Sequence, residues 1–301
     1  MSEPSTQTGR IIAAHGRHYT VELGDGTLRT VFPRGKKTGP AVGDRVQVTF
    51  ERAGEGVIDA VHERRNLLYR SDDMRTKQFA ANVDQLLIVI ATEPAYSDDL
   101  LGRALVAAGS ADIAPVIVLN KSDLPAGTDR VLARLAPLAA SGVPVIETSA
   151  LDPQSTRDAL LPVLENKCSL LLGQSGMGKS TLLNALVPQA NAATQEHSQA
   201  LGAGKHTTTT TRLYHLPTIA GDLIDSPGFQ AFGLQHLGPS DIERGFPEFS
   251  QGIQHCRFYN CTHRHEPGCG VLAALGKGDI TPERHELYKR ILAENESKSR
   301  Y

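Results

Sequence analysis

A chain of 301 residues with 40% hydrophobic and 21% charged side chains has ordinary globular composition, which excludes a disordered or fibrous protein and leaves room for more than one domain. Its 31 Lys+Arg against 33 Asp+Glu leave a net charge of −2, which excludes an evenly polybasic protein. The charge is uneven, however. Residues 1–70 hold 11 basic and 8 acidic side chains, 71–228 hold 11 and 16, and 229–301 hold 9 and 9. The basic excess at the amino terminus keeps nucleic acid open as a partner. No apolar run follows the starting methionine, and residues 86–91 fall far short of the roughly 20 needed to span a bilayer. A cytoplasmic protein without a membrane partner is expected.

The first 62 residues read as short strands at 9–14, 19–23, 28–32, 45–50 and 56–62, separated by turn residues. Arg45-Val46-Gln47-Val48-Thr49-Phe50 alternates polar and apolar, as a strand buried on one face does. Five such strands suggest a small closed barrel of the OB type, a fold whose face and loops often bind oligonucleotides. A barrel that only packs on its neighbour is the competing reading. Residues 64–80 read as a polar connector.

From residue 82 the pattern changes to strands at 83–91, 114–119, 143–148 and 168–172, alternating with helices at 97–108, 128–140 and 155–164. Ser97 is positioned as the first helix's N-cap. Near-continuous apolar strands between helices predict a parallel sheet covered on both faces, with ligands at the strands' carboxyl ends. The motifs fall there.

Gly173-Gln174-Ser175-Gly176-Met177-Gly178-Lys179-Ser180 follows the last of those strands and opens a helix at Thr181. It is a phosphate-binding loop. Glycines let backbone N–H groups curl around phosphates, Lys179 reaches the β- and γ-oxygens, and the Ser180 hydroxyl suits Mg²⁺. Asn120-Lys121-Ser122-Asp123 ends the strand at 114–119 and supplies a base reading. The Asp123 carboxylate matches guanine N1–H and N2–H₂, which adenine does not offer. Asn120 holds that loop and reaches N7, and the Lys121 stem covers the base. Thr148-Ser149-Ala150 places backbone near guanine O6. Asp225-Ser226-Pro227-Gly228 ends a strand at 222–224, where Asp225 suits Mg²⁺ and the Gly228 N–H suits the γ-phosphate. The threonine run after Lys205-His206 offers a second Mg²⁺ hydroxyl, Thr208 ahead of Thr207. Phe229 stands where many GTPases carry a water-orienting glutamine, so intrinsic hydrolysis is expected to be weak. His206 is the neighbouring candidate for that task, against the alternative of a solvent-exposed loop histidine.

Downstream, Cys256, Cys261, His263 and Cys269 lie within 14 residues and form a closed tetrahedral set suited to structural zinc. His255 and His265 are spare ligands. Phe246, Phe249, Phe258 and Tyr259 are expected to form the module's small core rather than stack on RNA, and Arg257 and Arg264 are candidates for RNA phosphate. Cys168 reads as plain core.

The five nucleotide motifs are those of a GTPase in changed order, with the guanine motifs ahead of the phosphate loop. The chain thereby resembles the circularly permuted ribosome small subunit-dependent GTPase A family (RsgA, also YjeQ). Gly204-Lys205-His206-Thr207-Thr208-Thr209 and the Cys-Thr-His-Arg-His-Glu-Pro-Gly-Cys loop are particularly similar to that family. The resemblance implies an OB-type barrel at 1–70, a permuted α/β P-loop GTPase at 71–233 and an α-helical zinc module at 234–301. It further implies GTP hydrolysis stimulated by the ribosome through His206, binding to the 30S subunit and 16S rRNA, and a role in late 30S maturation. A mobile three-module chain suits a monomer. Two other readings compete: a GTP-dependent metal-handling protein, and an RNA-binding module whose nucleotide site is only structural.

Overall fold

The computed structural model describes residues 5–35, 39–50, 55–71, 76–124, 127–190, 210–226, 232, 234 and 236–298. At the amino end, β1 (Ser5–Ala14), β2 (Tyr19–Leu23), β3 (Leu28–Pro33), β4 (Arg45–Phe50) and β5 (Gly56–Val61) pair in the order β1-β2-β3-β5-β4, and β4 returns to β1. The sheet is therefore closed into the expected five-stranded barrel. One strand, β1, serves two neighbours by bending: residues 5–10 pair with β4 and residues 9–14 with β2. Gly9 sits at the overlap, where a Cβ would lie 2.5 Å from Val21 Cγ2 and 2.7 Å from the Glu22 carbonyl. Ile11, Val21, Val31, Val46 and Val48 fill the interior with no exposure to solvent.

The stretch expected to be a connector is a hairpin of β6 (Leu67–Ser71) and β7 (Thr76–Ala81). Its strands are too short to show a period, and tertiary burial decides them. Leu68, Phe79 and Ala80 are buried, and the Ala81 N–H donates to the Val42 carbonyl at 2.8 Å. Beneath the hairpin the fully buried Asp44 carboxylate accepts from Arg64 Nε and Nη2, both at 2.7 Å, and from the Ala41 N–H.

The central unit runs β8 (Gln85–Ala91), α1 (Asp98–Ser110), β9 (Ala114–Asn120), α2 (Thr128–Ala140), β10 (Val145–Glu147), α3 (Pro153–Leu164), β11 (Cys168–Gly173), α4 (Lys179–Leu186), β12 (Thr211–His215) and β13 (Asp222–Asp225). Its sheet order is β10-β9-β8-β11-β13-β12, parallel except for β12. Every residue of β8 is buried, as a strand covered by helices on both faces requires. Ser97 caps α1, its hydroxyl accepting from the Leu100 N–H.

Strand β12 was hidden by the threonine run that precedes it. Its outer edge pairs with β1 of the barrel, Ala13 opposite Arg212 and Ala14 opposite Thr211, so the two sheets are continuous. Charge reinforces the seam. Arg10 reaches both Asp222 and the Cys168 sulfur, and His215 lies between Asp222 (Nδ1, 2.6 Å) and Glu22 (Nε2, 2.9 Å). Cys168 is thus buried as expected but faces a guanidinium as well as core.

The carboxyl-terminal module contains α5 (Pro239–Glu243), a 3₁₀ turn at Pro247–Phe249, α6 (Ser250–Ile253), α7 (Gly270–Lys277) and α8 (Pro282–Lys298). Phe246 and Phe249 pack on Tyr288 at centroid distances of 5.2 Å each. Those two aromatics form the small core. Phe258 and Tyr259 do not, being 41% and 105% exposed on the metal loop, because that short loop has no interior to give them. Among the described residues no helix is long and apolar enough to cross a membrane.

Candidate active site and metal centre

The phosphate loop joins β11 to α4 at the carboxyl edge of the sheet. Gly176 and Gly178 hold left-handed backbone (φ 83° and 87°), and at Gly178 a Cβ would meet Asn120 Nδ2 at 2.3 Å. A side chain at Gly178 would push the guanine loop off the phosphate loop. Lys179 opens α4 with its ammonium 3.3 Å from the Gln174 carbonyl. Burial lowers its pKa, while Asp225 opposes the shift. Asp225, at the end of β13, is buried, which pushes its carboxyl up to about 6 against the pull of Lys179. A cation and an anion held in one desolvated recess at a helix N-terminus suit a phosphate and its metal ion. Ser180 and Thr181 stand exposed beside them.

Asn120 is buried and spans three elements. Its Nδ2 donates to the Met177 carbonyl at 2.9 Å, and its Oδ1 accepts from the Ala150 N–H at 3.0 Å. One side chain thus fastens the phosphate loop, the end of β9 and the Ser149–Ala150 turn together. Ser149 Oγ donates to Asp123 Oδ1 at 2.6 Å, fixing the carboxylate assigned to guanine. Lys121 adopts left-handed backbone (φ 65°) and donates from Nζ to the Glu93 carbonyl at 2.7 Å. His206, Thr207, Thr208, Gly228 and Phe229 lie outside the described residues.

In the carboxyl-terminal module the ligand atoms of Cys256, Cys261, His263 and Cys269 all lie within 4.8 Å of one another. Three thiols and one imidazole at that separation fit a tetrahedral zinc ion. His263, not His255 or His265, joins the set. Its Nδ1 is 3.5 Å from Cys256 Sγ and 3.4 Å from Cys269 Sγ, and its backbone is left-handed (φ 57°). Nε2 meets the Glu243 carboxylate at 2.9 Å, which fixes the ring and its tautomer in the way metal-ligating histidines usually require. Glu243 escaped the sequence reading because it lies on α5, outside the cysteine loop. Cys269 caps α7: its Sγ accepts from the Leu272 N–H. Burial opposes its ionisation, but that bond and His263 outweigh burial and hold the thiol below its ordinary range.

A model of the RsgA GTPase family matches residues 61–235. A Bordetella pertussis protein named small ribosomal subunit biogenesis GTPase RsgA is 69% identical over 287 residues, spanning 95% of this chain and 96% of its own length. The chain belongs to the RsgA GTPase family. A protein of the same name from Burkholderia pseudomallei is 57% identical over 95% of this chain and 91% of its own. The crystal structure of YjeQ from Thermotoga maritima superposes with a TM-score of 0.73 at 32% identity, over 97% of this chain and 99% of that one. YloQ, described as a circularly permuted GTPase, superposes at 0.71 with 28% identity, over 98% and 96%. This RsgA-family chain is accordingly a GTP hydrolase with a permuted nucleotide domain, and the strand order β10-β9-β8-β11-β13-β12 places its guanine motifs ahead of its phosphate loop in sequence yet beside it in space.

Proposed function

We propose that this GTPase acts on the small ribosomal subunit, assisting its late maturation in the cytoplasm as a monomer whose hydrolysis the subunit stimulates. The observation that carries the reading is the joining of Asp123, held by Ser149, to a complete phosphate loop in a chain 69% identical to a protein named for small-subunit biogenesis.

The roles follow from chemistry. Asp123 selects guanine, and Asn120, Lys121, Ser149 and Ala150 shape its recess. Backbone N–H groups of residues 173–178 receive the phosphates, with Gly173, Gln174, Ser175, Gly176, Met177 and Gly178 as their cradle and Thr181 continuing the helix. Lys179 bears on the β- and γ-oxygens, and the Gly228 N–H senses the γ-phosphate. Ser180, Thr208 and Asp225 would hold Mg²⁺, which supplies charge neutralisation to the transferred phosphoryl group. His206 orients water in place of the glutamine that Phe229 replaces. Zinc in the Cys256, Cys261, His263 and Cys269 set is structural, because four protein ligands leave no open position. That closed set disfavours the metal-handling alternative. The basic barrel at 1–70 and the module at 234–301, with Arg257 and the exposed Phe258 and Tyr259, flank the GTPase domain at 71–233 as surfaces for 16S rRNA.

The test is the GTPase rate with and without purified 30S subunits. Stimulation of about tenfold or more is expected. No stimulation, together with metal transfer to an acceptor, would reverse the reading in favour of metal handling. Within this scheme His206→Ala lowers the stimulated kcat by about 10- to 100-fold and leaves GTP affinity intact; an unchanged stimulated kcat would discard the histidine's role.

A further inference from the structure

Phosphate loops bind phosphate through backbone N–H groups, so the long amide of Gln174 has no obvious work among the phosphates. Its side chain points elsewhere. Gln174 Oε1 accepts from the Ser97 N–H at 3.1 Å, at the cap of α1. Its own carbonyl accepts from Lys179 Nζ at 3.3 Å and from the Met177 N–H at 3.3 Å. One residue therefore joins the phosphate-gripping ammonium to the start of α1. A small cavity of about 30 Å³, lined among others by Tyr96, Leu101, Gln174 and Phe232, lies beside the bond. Because that lining is largely apolar, the hydrogen bond is the polar link between loop and helix at this point.

Farther along, α1 carries the metal module without slack. A Cβ at Gly102 would lie 2.1 Å from Leu287 Cδ2, and one at Gly109 would lie 2.6 Å from the Arg244 carbonyl. Arg103 bridges Asp99 on its own helix and Glu294 on α8, and Asp99 also receives Arg290 of α8. A rigid helix thus has the C-terminal module fixed along its length and Gln174 at its tip.

We propose that Gln174 is a positioning residue that couples Lys179 to α1, so that the seating of the C-terminal module on α1 sets how Lys179 meets the γ-phosphate. The inference rests on this site being the one that hydrolyses GTP. Its test needs no ribosomal particle, so its failure and that of the small-subunit reading are distinguishable.

The experiment is a kinetic cycle on the full chain, measuring intrinsic single- and multiple-turnover hydrolysis. Gln174→Leu removes the acceptor and keeps the bulk. Gln174→Glu restores an acceptor, and its charge is favourable at the N-terminus of α1. Gly102→Ala presses a methyl on buried Leu287, whose δ-carbon would lie 2.1 Å away, and so disturbs the contact of α8 with α1 while favouring the helix itself. Gln174→Leu is expected to lower kcat about fivefold with KM for GTP moved less than about twofold, and Gln174→Glu to recover most of it. Gly102→Ala is expected to change kcat by about threefold in the native background, by nothing further beside Gln174→Leu, and by about threefold again beside Gln174→Glu. A KM effect without a kcat effect would reduce Gln174 to part of the phosphate cradle. A silent Gly102→Ala, or effects that simply multiply, would overturn the coupling.

Discussion

The nucleotide domain carries a neighbour on each flank, and the two are attached by opposite physics. The barrel joins through a short stretch of backbone pairing between β1 and β12, stiffened by Arg10, Asp222, His215 and Glu22. The metal module joins α1 by contact so close that side chains are excluded: at Gly245 a Cβ would lie 2.3 Å from Val106 Cα. A seam of charges answers to pH, salt and competing polyanions, because each partner is partly wet. A close-packed seam answers to displacement, because packed interiors pass strain on. The barrel flank is therefore the one whose attachment salt and pH should influence, and the close-packed C-terminal flank is the one able to transmit a push.

That contrast can be broken from the metal outward. Cys269→Ser should abolish tight binding of one zinc equivalent and unfold the C-terminal module, since structural zinc supplies about 10–16 kcal/mol in small metal-bound folds. Hydrogen exchange should then show α7 and α8 unprotected and the barrel unchanged; an equally destabilised barrel would erase the distinction. Next in size, Gly245→Val sets a branched side chain against the backbone of α1 and should cost about 2–4 kcal/mol in urea unfolding, independent of salt. Asp222→Asn removes the carboxylate shared by Arg10 and His215 and should cost about 1–2 kcal/mol, less as salt is added.

The smallest effect is the most diagnostic. Burial opposes protonation of His215, but the carboxylates of Asp222 and Glu22 outweigh it and raise the pKa above the ordinary histidine value. The stabilisation is then complete below about pH 6.5 and is lost as pH rises through the folded-state value. Because the imidazole is about half exposed (54%), the contribution is below about 1 kcal/mol. His215→Gln should flatten the pH dependence of barrel docking above about pH 6.5. A slope that survives the substitution would place the pH response elsewhere.

Much of this molecule was legible in its sequence because its signals are local. The strands at Tyr19–Leu23 and Arg45–Phe50, the helix at Thr128–Ala140 and the Ser97 cap coincide with what alternation and capping chemistry predict. The Asn120–Asp123 and phosphate-loop motifs stand out because phosphate and guanine recognition need particular residue types at fixed spacing, and the fold brings the two loops together through Asn120. What escaped depends on distant partners. The β6–β7 hairpin has too few residues for a period and exists because the barrel covers it. Glu243 gains meaning only when α5 brings it to His263, and Gln174 only when Ser97 lies beside it. Phe258 and Tyr259 were misplaced because composition cannot say which aromatics of a small module find an interior.

The permuted strand order has a consequence for biosynthesis. In the finished sheet β9 lies between β10 and β8 at one side, while β11, β13 and β12 complete the other. A chain growing from its amino terminus therefore has the whole half that carries the Asn120–Asp123 and Ser149–Ala150 loops available to assemble as a contiguous parallel unit before any residue of the phosphate loop has been made. The phosphate half is then added onto the existing edge of β8. Each half of the central sheet can form largely from its own segment, while one edge of β8 is left for β11 and one edge of the barrel's β1 for β12, so the late strands close both seams.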